Sequence, residues 1–454
     1  MAKTIDMTTG SPAKHILRFV IPLLLGNLFQ QFYNMVDTVI IGQFLGKTAL
    51  ASVGSTGSLI FMIIGLCLGI CAGFGIPVAQ RFGAKDYSEM RRYVANAAWA
   101  SIGLAVLITT TVLILCDDIL QAMNTPGDIY DGAYTYLSIL FMGIPMTLLY
   151  NLCASVVRAM GDSKTPLYFL IISSLLNIIL DLAFVKPFNI AGPAWATVIS
   201  QGTSGILCLF YMKKRFSILR IQPGEGKLSF RHIGRLLMQG LPMGLQYSIT
   251  AIGSVILQTA VNGLGSIYIA AMTAGQKLSI FFCCPFDALG NAAATYGGQN
   301  IGAGRPDRIN KGMFALVAYG FIYSAVAAAV LFPFGGALSR LFMDEPDIFI
   351  EENAHLFLMI NVSFYPLLAL VNIVRFMIQG MGYSVLAILA GIFEMVARGI
   401  VGFVFVDLYG YPAACFANPS AWVAADVFLI TAFLLIVRRE KRKIAVSHAS
   451  ISDR

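Results

Sequence analysis

The strongest constraint on this chain is a series of apolar stretches, each about as long as a membrane is thick, that recur from one end to the other. Leu23 to Ile41, Leu59 to Ala79 and Ala97 to Cys116 are examples. Wound as helices rising about 1.5 Å per residue, such stretches match the roughly 30 Å of hydrocarbon in a bilayer. The composition leaves little choice of solvent: 57% of 454 residues are apolar, 12% are charged, and mean hydropathy is +0.77. A soluble fold of this length has too little interior to hide that much apolar surface. The basic residues near the start precede an apolar run that continues past Asp37 without a small-residue cleavage pattern, so the run reads as a retained first helix.

The pattern predicts an all-α membrane protein with about twelve spans, at 15–42, 50–80, 91–116, 130–156, 165–185, 190–211, 235–262, 268–298, 310–335, 351–376, 383–406 and 411–437. A net charge of +8 raises the question of nucleic acid, but the placement of the charges answers it. When alternate connections are assigned to one side, 26 of the 31 basic residues collect there, including Lys213 to Arg235, Arg375 and the tail from Arg438. The other side receives Lys47, Lys186 and Arg340, while Lys277 and Arg398 fall inside spans. The positive-inside rule then puts both termini in the cytoplasm of a multi-pass cell inner-membrane protein. The eight cysteines lie in or beside apolar runs and read as packing residues.

The chain also repeats. Shifted by 219 to 221 residues, IPLLLGNLFQQ near Pro22 meets LPMGLQYSIT near Pro242, and AQRFGAKDYSEMRR near Gln80 meets GQNIGAGRPDRINK near Gln299. Farther on, AMGDS near Met160 meets GMGYS near Met381, and AGPAW near Pro193 meets GYPAA near Pro412. An even number of spans per half makes these parallel repeats, an architecture suited to alternating access around a central cleft. The expected organisation is an N-terminal lobe at 1–212, a flexible basic cytoplasmic linker at 213–234, a C-terminal lobe at 235–437 and a basic cytoplasmic tail at 438–454.

Charges at membrane depth are costly unless they pair or line water, so they are the first functional candidates. Asp37, Asn177, Asp181 and Thr197 all fall in one layer, about 7–14 Å from the outer ends of their helices. Asn177 and Asp181 share a face at i, i+4, and Asn34 lies one turn before Asp37. Two carboxylates with amide and hydroxyl oxygens can hold Na⁺, or crowding can make one of them a proton carrier. The bland alternatives are a satisfied buried polar group at Asp37 and an interfacial helix end at Asp181. The second half offers Lys277, Asp287, Glu394, Arg398 and Asp426, of which Glu394 and Arg398 could form a structural ion pair. With Tyr33 and Tyr150, the residues Lys277, Asp287, Glu394 and Arg398 are candidates for a substrate cleft, where aromatic rings would suit flat lipophilic cations. The chain has no GxxxxGK[ST] loop, no metal spacing among its four histidines and no Ser/His/Asp constellation, so neither an enzyme nor a resident cofactor or metal is expected.

These residues resemble the multidrug and toxic compound extrusion family, above all its DinF-like branch, through PLLLGNLFQQFYNMVDTVIIGQFLG, GFGIPVAQRFGAKD, VVRAMGDSKTP, LLNIILD, GPAWAT and GQNIGAGRPDR. The resemblance covers nearly the whole chain. It implies two six-helix lobes around a V-shaped cleft and export of drug-like, lipophilic cationic compounds in exchange for H⁺ or Na⁺. It also implies an ion site at Asp37 in YNMVD, Asn177 and Asp181 in NIILD, and Thr197 in GPAWAT. A monomer in the membrane, with no nucleic-acid partner, is expected. The chain departs from the branch that uses a second-lobe carboxylate early in helix 7, since only Gln246 and Gln258 occur there, and Lys277 is not explained by the resemblance. The rival readings are a lipid-linked precursor flippase, which calls for a more basic cleft, and a passive channel or membrane scaffold.

Overall fold

The computed structural model of the protein describes residues 4–342 and 347–452, the side chains of 444–452 excepted. Lys3 and Arg454, counted among the basic residues above, lie outside the described residues. Twelve spans follow in order: α1 (12–45), α2 (47–83), α3 (Tyr87–Ile114), α4 (Gly127–Met142 and Ile144–Ala159), α5 (Lys164–Phe188) and α6 (Ala191–Arg215). The second set is α7 (Phe230–Asn262), α8 (Ser266–Gly302), α9 (Pro306–Ser339), α10 (Ile348–Ser363 and Tyr365–Gly380), α11 (Ser384–Tyr409) and α12 (Tyr411–Lys443). Among the described residues, eight helices are long and apolar enough to cross a membrane, or ten if each of two bent pairs is one span. Separating α1 from α2 makes eleven, and α6, 25 residues long but more polar, is the twelfth.

Local chemistry explains the breaks. Gly46 alone divides α1 from α2, at φ 83°, where a side chain would be strained. The bends of α4 and α10, 46° and 53°, fall just before Pro145 and Pro366, which are the second residues of the continuing segments and cannot donate a helical hydrogen bond. The two prolines are 221 residues apart, so the bend belongs to the repeat.

The chain forms two compact units, one of Met1–Asp6 with Leu25–Ser248 and the other of Met7–Leu24 with Ile249–Arg454. The division runs through α1 and α7, so the first helix of each repeat is shared between the units. In the first unit, the early part of α7 lies against α2 at glycines. A Cβ on Gly69 would stand 2.4 Å from the Met243 carbonyl oxygen, and one on Gly73 would stand 2.5 Å from Gly240 Cα. Gly69 and Gly73 are one turn apart, as are Gly240 and Gly244, the small-residue spacing that lets membrane helices meet backbone to backbone.

In the second unit the segment before α1 is held by side chains of α8 and α9. Gln299 Oε1 accepts from the Met7 amide at 2.9 Å, and Arg308 Nη2 donates to the carbonyls of Met7, Thr9 and Gly10 at 3.2, 3.1 and 2.9 Å. The segment before α7 is docked within the first unit in a similar manner. Glu225 accepts from Arg91 Nε at 2.5 Å and Nη2 at 2.7 Å, from Ser88 Oγ at 2.8 Å and from the Gln222 amide at 2.8 Å. Asn96 accepts from the Ser229 amide, and Trp99 Nε1 donates to the Gly226 carbonyl. The part of the linker at 222–229, which the sequence marks as flexible, is therefore fastened along α3.

Candidate functional site

Within the first unit, α5 and α6 are joined by a turn at Asn189, φ 49°, and cross so closely that a Cβ on Gly192 would stand 2.4 Å from the Phe184 carbonyl oxygen. This crossing sets Asp181, seven residues before the end of α5, at a depth close to that of Thr197, six residues into α6. Asp37 lies nine residues before the break at Gly46. At about 1.5 Å per residue the three groups occupy a layer roughly 9–14 Å from one set of helix ends.

The side chains converge as well. Asn177 Nδ2 donates to Thr197 Oγ1 at 3.4 Å, and the Asp37 and Asp181 carboxyl groups lie within reach of each other. Asp181 and Asn177 are buried, and among the described residues Asp37 Oδ1, both carboxylate oxygens of Asp181 and Asn177 Oδ1 have no hydrogen-bond donor. Four bare oxygens, beside the Thr197 hydroxyl, make a pocket of acceptors with nothing to accept. Buried anionic oxygens left this way carry a desolvation cost of several kcal/mol, which a bound proton or hard cation removes. Among the described residues there is no cluster of three or more His, Cys, Asp or Glu able to hold a metal ion.

Three residues that sequence reasoning did not select complete this group. Tyr136 of α4 is buried close to both carboxyl groups, and Gln201 of α6 lies beside Tyr33 and accepts from Thr147 Oγ1 at 2.9 Å. As uncharged residues in apolar helices, they look in the sequence like packing. Tyr33 itself sits near Asp37 and Asp181, whereas Asn34 is exposed on α1 and contributes its backbone carbonyl to Thr38. Tyr150 is turned to another task, donating from its hydroxyl to the Pro166 carbonyl at 3.1 Å.

The second unit contains a different polar cluster. Glu394 of α11 pairs with Arg375 of α10, and more loosely with Arg398 at 3.5 Å, all three being buried. Arg375, which the loop count assigns to a membrane edge, thus lies inside its helix, and the expected Glu394–Arg398 pair is a triad. Asp426 of α12 is buried near Arg375, and among the described residues neither of its carboxylate oxygens has a hydrogen-bond donor. Arg398 Nε donates to Asn418 Oδ1 at 3.3 Å. Arg398 is followed by a π-helical turn, Val401–Phe405, a distortion often found beside functional groups. Lys277 and Asp287 are exposed on α8 and belong to neither cluster.

The fold and its polar layer define a multi-pass membrane protein made of two parallel six-helix repeats. The MatE family pattern matches residues 22–183 and 242–404, two copies at an offset of 220, and the chain belongs to this family of multidrug transporters. It is 30% identical to the probable multidrug resistance protein YpnP of Bacillus subtilis over 76% of this chain and 78% of that one. It is 28% identical to the probable multidrug resistance protein YoeA of the same organism over 80% of each. Its fold is that of a multidrug resistance MATE family transporter solved in an outward-facing conformation, with a TM-score of 0.90 at 22% identity over 97% of this chain and 99% of that one.

Proposed function

We propose that the protein is a secondary antiporter of the cell inner membrane that exports lipophilic, chiefly cationic, compounds in exchange for H⁺ or Na⁺. The reading is carried by one observation: the unpartnered oxygens of Asp37, Asn177 and Asp181, gathered beside Thr197. The ion binds there, with Asp37 and Asp181 supplying charge, Asn177 and Thr197 supplying neutral oxygens, and Tyr33 and Gln201 bordering the group. Because Asp37 is on α1, whose two ends belong to different units, filling the site changes the hydrogen bonding of a helix that both units share. Coupling follows if ion and substrate prefer different orientations of the transporter, since a ligand moves an equilibrium only through such a preference. Basic residues crowd one set of helix ends, which supports cytoplasmic termini, and the two repeats in one chain supply both halves of an alternating-access machine, so a monomer suffices. The names of the Bacillus relatives support a drug-like substrate.

The test is transport by purified protein in liposomes, with a fluorescent organic cation and with H⁺ and Na⁺ gradients imposed separately. Accumulation against the substrate gradient, driven by one of the ions and abolished in Asp37→Asn and Asp181→Asn, is expected. Flux that ignores both gradients and both substitutions would overturn the proposal in favour of a passive channel.

A further inference from the structure

A second polar site lies in the first unit, away from the bare oxygens, where α2, α3 and α7 reach the membrane edge. It is a cavity of about 320 Å³ lined by Pro77, Arg81, Tyr93, Arg235 and Met238, among others, at the small end of the range of ligand clefts, roughly 300–1,000 Å³. Arg81 is in the last turn of α2, and Tyr93 and Arg235 are each in the second turn of their helices. The apolar stretches begin immediately behind them, at Val78, Val94 and Leu236. The cavity therefore lies at the depth of lipid headgroups.

Its charge is positive. Arg235 donates to the Tyr93 hydroxyl at 3.0 Å and, among the described residues, forms no ion pair with a carboxylate. Arg81 meets Asp86 at 3.4 Å through Nη1 alone, with both side chains partly exposed. Glu89, the other nearby acid, is engaged by His232 at 3.1 Å and Arg92 at 3.7 Å. The mouth of the cavity opens onto apolar surface, since Met238, Leu241 and Leu245 form an exposed stripe on α7 at i, i+3, i+7. Two arginines for an oxyanion and an adjoining stripe for hydrocarbon match one kind of molecule.

We propose that this cavity binds the phosphodiester headgroup of an anionic phospholipid, with Arg81 and Arg235 on the phosphate oxygens and the acyl chains along α7. Guanidinium groups suit phosphate through forked hydrogen bonds. A free phosphate would share those bonds but leave the apolar stripe uncovered. The proposal is independent of the ion site.

Native mass spectrometry of the full chain in neutral detergent, doped with equal phosphatidylglycerol and phosphatidylcholine, tests it. The wild type is expected to retain phosphatidylglycerol selectively, and Arg81→Gln and Arg235→Gln each to lower that retention about fivefold, the factor for one basic residue near an anionic surface. Leu245→Glu, a carboxylate placed on the exposed apolar stripe ten residues beyond Arg235 and out of its reach, should also lower retention and guards against a folding artefact. Equal retention of the two lipids by the wild type, or retention unchanged in all three variants, would overturn the proposal. So would displacement of phosphatidylglycerol by millimolar inorganic phosphate, which would identify a site for the free ion.

Discussion

Alanine at Gly69 tests the glycine seam between α2 and α7. The new Cβ would lie 2.4 Å from the Met243 carbonyl oxygen, 2.6 Å from Gly244 Cα and 2.7 Å from its nitrogen. Carbon contacts are comfortable at roughly 3.5–4.0 Å, so α7 must retreat by about 1 Å. All three obstacles are main-chain atoms, and no side chain can swing away. Overpacking costs typically about 1–3 kcal/mol, and a rigid obstacle puts this case near the upper figure. The retreat also loosens the neighbouring contact of Gly73 with Gly240. For a unit of this size about 3 kcal/mol corresponds to a fall of roughly 6–12 °C in the unfolding midpoint. Thermal unfolding in detergent, followed by intrinsic fluorescence, measures it. Gly103→Ala is the control, because a Cβ there meets nothing within 4 Å and the substitution gains up to about 1 kcal/mol in helix propensity. If Gly69→Ala melts with Gly103→Ala, the backbone contact that defines this seam is absent.

Three further outcomes follow from particular contacts. Arg91 first, then the Gln222 amide and Ser88, hold the Glu225 carboxyl down at about 2, below the ordinary glutamate value of about 4.3. A depressed value stabilises docking above the ordinary value and loses that contribution as pH falls through the folded one, so residues 218–232 should stay protected from hydrogen exchange at pH 4 and lose protection toward pH 2, whereas Glu225→Gln should lose it at neutral pH. Glu394→Gln leaves Arg375 and Arg398 facing each other while buried, and should cost about 3–5 kcal/mol in thermal unfolding; a variant as stable as wild type would show that the triad is not formed. Arg308→Ala removes three bonds to Met7, Thr9 and Gly10 and should make the N-terminal segment sensitive to limited proteolysis, with cleavage at the wild-type rate counting against the docking.

The spans were legible because hydrophobicity is local: runs of apolar residues marked α1 to α12 to within a few residues. The acidic layer was legible because carboxyl groups inside apolar helices are conspicuous. Long-range partners were not. Glu225 sits in a stretch of turn formers, and nothing nearby in sequence announces Arg91, 134 positions earlier. Arg375 was mistaken for a loop residue because it is one turn from a helix end, and its partner Glu394 lies on the next span. Tyr136, Thr147 and Gln201 have the composition of packing residues and acquire meaning only beside Asp37 and Asp181. The assignment of the first part of α1 to the second unit depends on helix contacts that the hydrophobic pattern, alike in both repeats, does not encode.

If the bare oxygens around Asp37 and Asp181 hold the coupling ion, its binding and release are measurable without transport. Purified protein in weakly buffered detergent is titrated with a lipophilic cation while released protons are followed by a pH dye, and the titration is repeated after loading with tracer ²²Na⁺. The account predicts that substrate expels one of the two ions from the wild type, and that Asp37→Asn and Asp181→Asn bind and release neither. Release of the ion at the wild-type level from the double variant would contradict it.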